Sequence, residues 1–183
     1  MEEKQIAEAI TKAHKGISQY LEIMTLFPNV NASDDADFRR KFNAFYRVRQ
    51  RPPEWYTKYF SYMERHKGSK PSFDDVLDDV YELTGRYEPS FSSKLVATLN
   101  PEQPVWDIWV LRNTNTRVPS YASKRKVEQA KVAYRIIQGW YQQFLKSKDG
   151  ELVISVFDRM VPAHTKFTNL KKVDFVLWQT RED

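Results

Sequence analysis

The chain has 183 residues, enough for one domain with a hydrophobic core, and its 29 Lys and Arg against 24 Asp and Glu give a net charge of +5. The absence of cysteine excludes disulfides, thiolate metal ligands and cysteine nucleophiles. The first residues lack the basic and apolar regions typical of a signal peptide, no run of roughly 18 apolar residues occurs, and neither of the phosphate loops GxGxxG and GxxxxGKS/T is present. We therefore expect a single domain over residues 1–183, located in the cytoplasm, with no membrane association and no cofactor.

Apolar residues recur at three- and four-residue steps along most of the chain, and this spacing predicts a succession of helices. The predicted segments are 2–26, 33–50, one that begins at Pro52-Pro53, 72–85, one that carries Lys94 and ends near Asn100, one from about Val105, 121–148, 152–160 and 169–178. The run 152–157 is rich in β-branched residues and permits a strand, but it has no visible partner strand. The sequence predicts an all-α fold, an orthogonal bundle of eight to nine helices.

Capping residues indicate where several of these helices begin and end. Ser72 is a good N-cap for the fourth helix, and Gly85 is a good stop. For the fifth helix, Ser90 or Ser92 is the expected N-cap. Asp149-Gly150 is expected to close the long seventh helix.

Basic residues concentrate in two segments. Residues 39–51 contain six basic residues and no acid, and residues 112–135 contain seven with the single acid Glu128. If both segments share a face, that face attracts phosphates, and each contact adds salt-dependent affinity. The alternative is two solvated helix faces, paired or unpaired with the acidic fourth helix. The basic residues singled out for nucleic-acid binding are Arg47, Arg49, Arg112, Arg117, Lys124, Arg125 and Lys126.

The segment 86–112 holds the one arrangement that indicates chemistry. Pro101 and Pro104 end the helix that carries Lys94. Asp107 then falls in the first turn of the next helix, where a carboxylate accepts bonds from unpaired backbone N–H groups. An amine and a carboxylate would then converge on one cleft.

This order, Ser92-x-Lys94 on a short helix followed by a loop and Pro104-Val-x-Asp107, resembles the helix-hairpin-helix DNA glycosylase superfamily, especially its 8-oxoguanine DNA glycosylase-like branch. In that family a lysine on the second hairpin helix is the nucleophile, and an aspartate shortly after it stabilises the sugar cation. The resemblance implies these roles for Lys94 and Asp107. The chain departs from the family in two ways: residues 87–92 replace the Leu-Pro-Gly-Val-Gly turn, and the interval between lysine and aspartate is shorter.

The resemblance also implies a mechanism and a partner, double-stranded DNA. Lys94 would attack C1′ of the deoxyribose as a neutral amine, a form that burial or a neighbouring cation favours. Asp107 would stay ionised and stabilise the charge that develops on the sugar. The target base would be flipped into an aromatic pocket. The nearest candidates for its walls are Trp106 and Trp109, and more distant ones are Trp55, Tyr56, Trp140 and Tyr141.

Each of these residues also has a purely structural interpretation. Asp107 would be a helix cap, Lys94 a solvated surface lysine, and the tryptophans part of the core. His14, His66 and His164 are far apart and lack metal-ligand spacing, so no metal site is expected. The leading prediction is a DNA-binding protein that resembles a base-excision glycosylase. The alternatives are a non-catalytic helical module for protein or nucleic-acid interaction, and a helical protein with no nucleic-acid role.

Overall fold

The computed structural model describes residues 1–180, which form nine α-helices and two short 3₁₀ turns and contain no strand. The helices are α1 Glu3–Leu26, α2 Ala36–Tyr46, α3 Pro53–Arg65, α4 Phe73–Thr84, α5 Pro89–Leu99, α6 Ile108–Asn113, α7 Lys126–Phe144, α8 Lys148–Met160 and α9 Asn169–Gln179. The all-α prediction is confirmed, and the count within the described chain agrees with the predicted eight to nine helices. The run 152–157, whose composition permits a strand, is helical and lies in α8.

The chain divides into two compact units. The central unit comprises residues 16–100, and the terminal unit comprises residues 1–15 together with the chain from Pro101 onward. Helix α1 contributes residues to both units. The single domain expected over residues 1–183 stays a prediction.

The core of the central unit is aromatic. Phe42 on α2 meets Phe60 on α3 edge-to-face with ring centroids 5.5 Å apart, and Trp55 stacks on Tyr59 at 4.7 Å. Each of these rings is buried, and such pairs add to the free energy gained by area burial alone. Helix α3 therefore packs these aromatic side chains into the core of the central unit.

Local capping explains the ends of α2 and α4. Helix α2 ends before the predicted Gln50, because Arg47 adopts a left-handed conformation with φ 53° and closes the helix. Helix α4 begins and ends as predicted. The Ser72 and Asp75 side chains form a reciprocal capping box, and Gly85 takes φ 68° at the C-cap.

The predicted seventh helix, 121–148, is wrong at both ends. Helix α7 begins only at Lys126, and it ends at Phe144, before α8 begins at Lys148. Residues 121–125 are turns, and Ser147 caps α8 by accepting a hydrogen bond from the Gly150 N–H at 3.1 Å. Asp149-Gly150 therefore lies in the first turn of α8 and does not close α7. A Cβ at Gly150 would overlap the Phe144 carbonyl oxygen, so the junction between α7 and α8 requires glycine.

Candidate functional site

Helix α5 is the most deeply buried element of the central unit. Pro89 is its first residue, because proline fixes a helical φ and its missing N–H needs no partner there. The predicted caps Ser90 and Ser92 are both wrong, since each lies inside the helix. Every residue from Ser92 to Leu99 is buried, which places Lys94 on a helix that is enclosed on all sides.

Lys94 is itself buried, with 9% of its surface exposed. Its Nζ lies 4.9 Å from the centroid of the Phe91 ring, and the guanidinium carbon of Arg51 lies 4.9 Å from the same centroid. An aromatic face attracts cations, most strongly where water is excluded. The interpretation of Lys94 as a solvated surface lysine is therefore wrong.

Arg51 is fixed by a buried carboxylate, Glu88. Its Nε and Nη2 donate to the two carboxylate oxygens at 2.6 and 2.8 Å, the bidentate geometry of the strongest ion pairs. The Nε of Arg86 lies 3.3 Å from the same carboxylate. The negative charge of Glu88 is thus shared between two guanidinium groups.

Tyr59 also contacts α5 beside Lys94, Phe91 and the ion pair of Arg51 with Glu88. Its hydroxyl donates to the Phe91 carbonyl oxygen at 2.8 Å, which ties α3 to the first turn of α5. Burial raises the pKa of Tyr59 well above its ordinary value, and the nearby charge of Glu88 raises it further. The phenol therefore remains a hydrogen-bond donor at neutral pH.

The pairing of Arg51 with Glu88 was not predicted from the sequence. Both residues directly precede a proline that starts a helix, Pro52-Pro53 before α3 and Pro89 in α5. Opposite charges at two such helix starts are a usable signal, but their separation of 37 residues hides the contact from any local pattern.

The loop between α2 and α3 carries the two basic residues predicted in this unit, Arg47 and Arg49. Arg47 and Gln50 adopt left-handed conformations with φ of 53° and 62°, a conformation that costs a non-glycine residue about 1–2 kcal/mol. Val48 between them is buried. Arg47 and Arg49 are exposed, and neither forms an ion pair with any residue in the range 1–180.

The other basic residues of segment 39–51 have local partners. Arg39 donates from Nε to the Ala32 carbonyl oxygen at 3.1 Å, and Arg40 pairs with Asp37. Lys41 also pairs with Asp37, which lowers the pKa of that carboxyl group. These partners lie on α2 itself or just before it, and they are not residues of the acidic helix α4.

In the terminal unit, Asp107 is the N-cap of α6. Its Oδ1 accepts hydrogen bonds from the backbone N–H groups of Trp109 and Val110, both at 2.8 Å. The preceding loop is held by Tyr134, whose hydroxyl donates to the Pro104 carbonyl oxygen at 2.8 Å. The predicted capping role of Asp107 is confirmed, and its carboxylate has a fixed position and orientation.

The two candidate tryptophans beside Asp107 have different environments. Trp106 is buried, so its interpretation as a core residue is confirmed. Trp109 is half-buried, with the Arg112 guanidinium 4.8 Å from its ring centroid. Trp109 and Arg112 line a groove of about 720 Å³ together with Lys12 of α1 and Gln179 of α9. Of the more distant candidates, Trp55 and Tyr141 are buried, and Tyr56 and Trp140 are half-buried.

The remaining predicted basic residues lie in irregular chain and at the start of α7. Arg117, Lys124 and Arg125 are exposed and precede the helix, so they do not form a stripe along it. Lys126 lies over the Tyr121 ring, with Nζ 4.4 Å from its centroid. Arg117, Lys124 and Arg125 thus present their charges to solvent from the terminal unit.

Lys94 belongs to the central unit and Asp107 to the terminal unit. Their convergence on one cleft stays a prediction, as does a common face for the basic segments 39–51 and 112–135.

Among residues 1–180, no three His, Asp or Glu side chains are grouped closely enough to hold a metal ion. None of the helices described above is both long enough and apolar enough to cross a bilayer. Comparison of the chain with protein-family models, with curated proteins and with solved structures gives no match. The resemblance to helix-hairpin-helix glycosylases therefore rests on the residues around Lys94 and Asp107.

Proposed function

We propose that this chain is a DNA-binding protein of the base-excision glycosylase type, in which Lys94 acts as a Schiff-base nucleophile. The observation that carries the proposal is the burial of Lys94, 9% of whose surface is exposed, on a helix that is buried from Ser92 to Leu99. Burial favours the nucleophilic, uncharged form of an amine.

The chemistry requires one covalent step from this amine. Lys94 Nζ forms a bond to C1′ of the deoxyribose as the bond between C1′ and the base breaks, and the base leaves with the electron pair. One N–H proton passes to the departing base, and the other passes to the ring oxygen O4′ as the bond between C1′ and O4′ breaks, which leaves an imine between Lys94 and C1′. The Asp107 carboxylate, fixed at the start of α6, would stabilise the positive charge that develops on the sugar.

DNA binding would depend on the exposed arginines of each unit. Arg47 and Arg49 extend from the same loop as Arg51. The Arg51 guanidinium contacts the Phe91 ring, which Lys94 also contacts. Arg117, Lys124 and Arg125 would add contacts from the terminal unit. Each phosphate contact contributes to binding and to its decrease with salt.

The experiment that tests this proposal is borohydride trapping on duplexes that contain an abasic site or an oxidised purine. Borohydride reduces the imine to a stable amine, so a reactive lysine is recorded as a covalent protein–DNA adduct. We compare the unmodified chain with Lys94→Arg, which keeps a long basic side chain but cannot form this imine. The matched control is Lys172→Arg, because Lys172 is also buried and its partner Asp158, at 2.6 Å, also accepts from arginine.

We expect an adduct with the unmodified chain and with Lys172→Arg, and none with Lys94→Arg. Urea unfolding of the three proteins shows whether each is folded. If the folded, unmodified chain forms no adduct with any duplex, the nucleophile mechanism is wrong, and the non-catalytic module becomes the better account. The cytoplasmic location stays a prediction in either case.

A further inference from the structure

The terminal unit has an open apolar groove of about 830 Å³ between segment 115–123 and α7. Its most exposed apolar residues are Val118, Val132 and Ile136, at 58, 53 and 52% exposure. Val132 and Ile136 are one turn apart on α7, whose opposite face is buried through Tyr134 and Ile137. A helix that also exposes branched aliphatic residues on its outer face marks an interaction surface.

The rim of this groove is basic. Arg117 and Arg125 both line it and are exposed, and Glu128 is the only acidic residue in its lining. Glu128 is in turn paired with Lys131 at 3.3 Å. The aliphatic lining suits a protein side chain better than a nucleobase, which prefers an aromatic or guanidinium platform.

A complementary surface lies on α4 of the central unit. Asp75, Asp78 and Glu82 are exposed on neighbouring turns, and Tyr81 between them is 44% exposed. An exposed aromatic side chain can fill an apolar groove, and the carboxylates around it complement the charge of the arginine rim.

We propose that the groove binds α4 of a second copy of this chain, with Tyr81 against Val132 and Ile136, and with the carboxylates against Arg117 and Arg125. Each copy carries one groove and one α4 surface, so two copies can close reciprocally into a dimer, or successive copies can link head to tail into a ring or chain. This inference is independent of the lysine chemistry proposed above.

The test is sedimentation velocity across a wide range of protein concentration and at low and high salt. Ile136→Asp disables the groove, and Tyr81→Lys disables the α4 surface. Both positions are exposed, so the fold tolerates both changes. The matched control is Met160→Asp, which places the same charge at another exposed apolar position of the terminal unit.

We expect the mass of the unmodified chain to rise above that of a monomer with concentration and to fall with salt. Met160→Asp should behave in the same way, and each of the other two variants should be monomeric. An equal mixture of Ile136→Asp and Tyr81→Lys should form a dimer and nothing larger, because that pair retains one groove and one α4 surface. An unmodified chain that stays monomeric overturns the proposal. So does a mixture of variants that stays monomeric, or an Ile136→Asp variant that still assembles.

Discussion

Replacing Asp107 by asparagine and by alanine separates two roles that one carboxylate combines. As the N-cap of α6, its Oδ1 accepts two backbone N–H groups, each at 2.8 Å. As a catalytic group it would contribute its charge. Asparagine keeps the acceptor oxygen and removes the charge, whereas alanine removes both.

The expected losses in the free energy of unfolding follow from the two hydrogen bonds that Asp107 accepts. Alanine leaves two donors of a six-residue helix without their acceptor, and loss of an N-cap costs about 0.5–2 kcal/mol, so we expect the upper part of that range. Asparagine is as good an N-cap as aspartate and loses only the interaction of charge with the helix dipole, about 0.5 kcal/mol. The effect on the rate of single-turnover base excision differs from the effect on stability, because asparagine, the milder change for stability, also removes the charge. Asparagine should lower the rate about 10²–10³-fold, as loss of one electrostatic stabiliser does.

Urea unfolding measures the stabilities, and single-turnover excision on the duplex that gives an adduct measures the rates. Two results would refute this reasoning, and they refute different parts of it. If asparagine destabilises the protein as much as alanine does, the cap depends on charge and not on the acceptor. If asparagine retains the full excision rate, Asp107 is a structural residue only.

Three further predictions concern the fold. Gly150→Ala should lower the free energy of unfolding by about 3 kcal/mol, because its Cβ would overlap a backbone carbonyl oxygen. The control, Gly139→Ala on α7, meets no atom within 4 Å and should raise that free energy by about 1 kcal/mol; equal effects of the two changes in urea unfolding would contradict the geometry. Glu88→Gln should destabilise the protein by about 3 kcal/mol in the same assay, since it leaves Arg51 without its buried counter-charge, and adding Arg51→Met should recover part of the loss. Alkaline pH should unfold the protein cooperatively. Burial is the largest cause that raises the pKa of four tyrosines, which therefore stay neutral in the fold but ionise in the unfolded chain above about pH 10. Above that pH the unfolded state binds fewer protons, so each such tyrosine makes stability fall by about 1.4 kcal/mol per pH unit. The four are Tyr59, Tyr62, Tyr134 and Tyr141. In a spectrophotometric titration, ionisation of all 10 tyrosines before unfolding would contradict this expectation.

Signals that act within one turn of the chain were sufficient to predict several structural details. The capping box of Ser72, the stop at Gly85 and the cap at Asp107 each depend on residues two to four positions apart. The boundary between α7 and α8 was not predictable in the same way. Apolar spacing continues through it, and the break depends on Ser147 as a new N-cap and on the close approach of Gly150 to the end of α7.

The candidate site shows the same limit more strongly. The position of Lys94 on a short helix follows from the prolines that end that helix, Pro101 and Pro104, but the burial of Lys94 does not follow from any local signal. Helix α5 has no polar face because neighbouring elements cover it on every side, and a polar residue such as Lys94 gives no sign of this in the sequence. The partnership of Arg51 and Glu88 likewise exists only once α3 and α5 are packed together.

The ion pair of Arg51 with Glu88 connects the fold to the proposed function. Left-handed conformations at Arg47 and Gln50 are unfavourable, so the loop needs an anchor at each end to retain them. Val48 provides one by burial, and Arg51 provides the other by its two bonds to Glu88 and its contact with the Phe91 ring. A loop held in this way presents its exposed arginines without the entropy loss that a flexible loop incurs on binding. Because Lys94 contacts the same ring, phosphate binding at the loop and chemistry at the amine would share one rigid support.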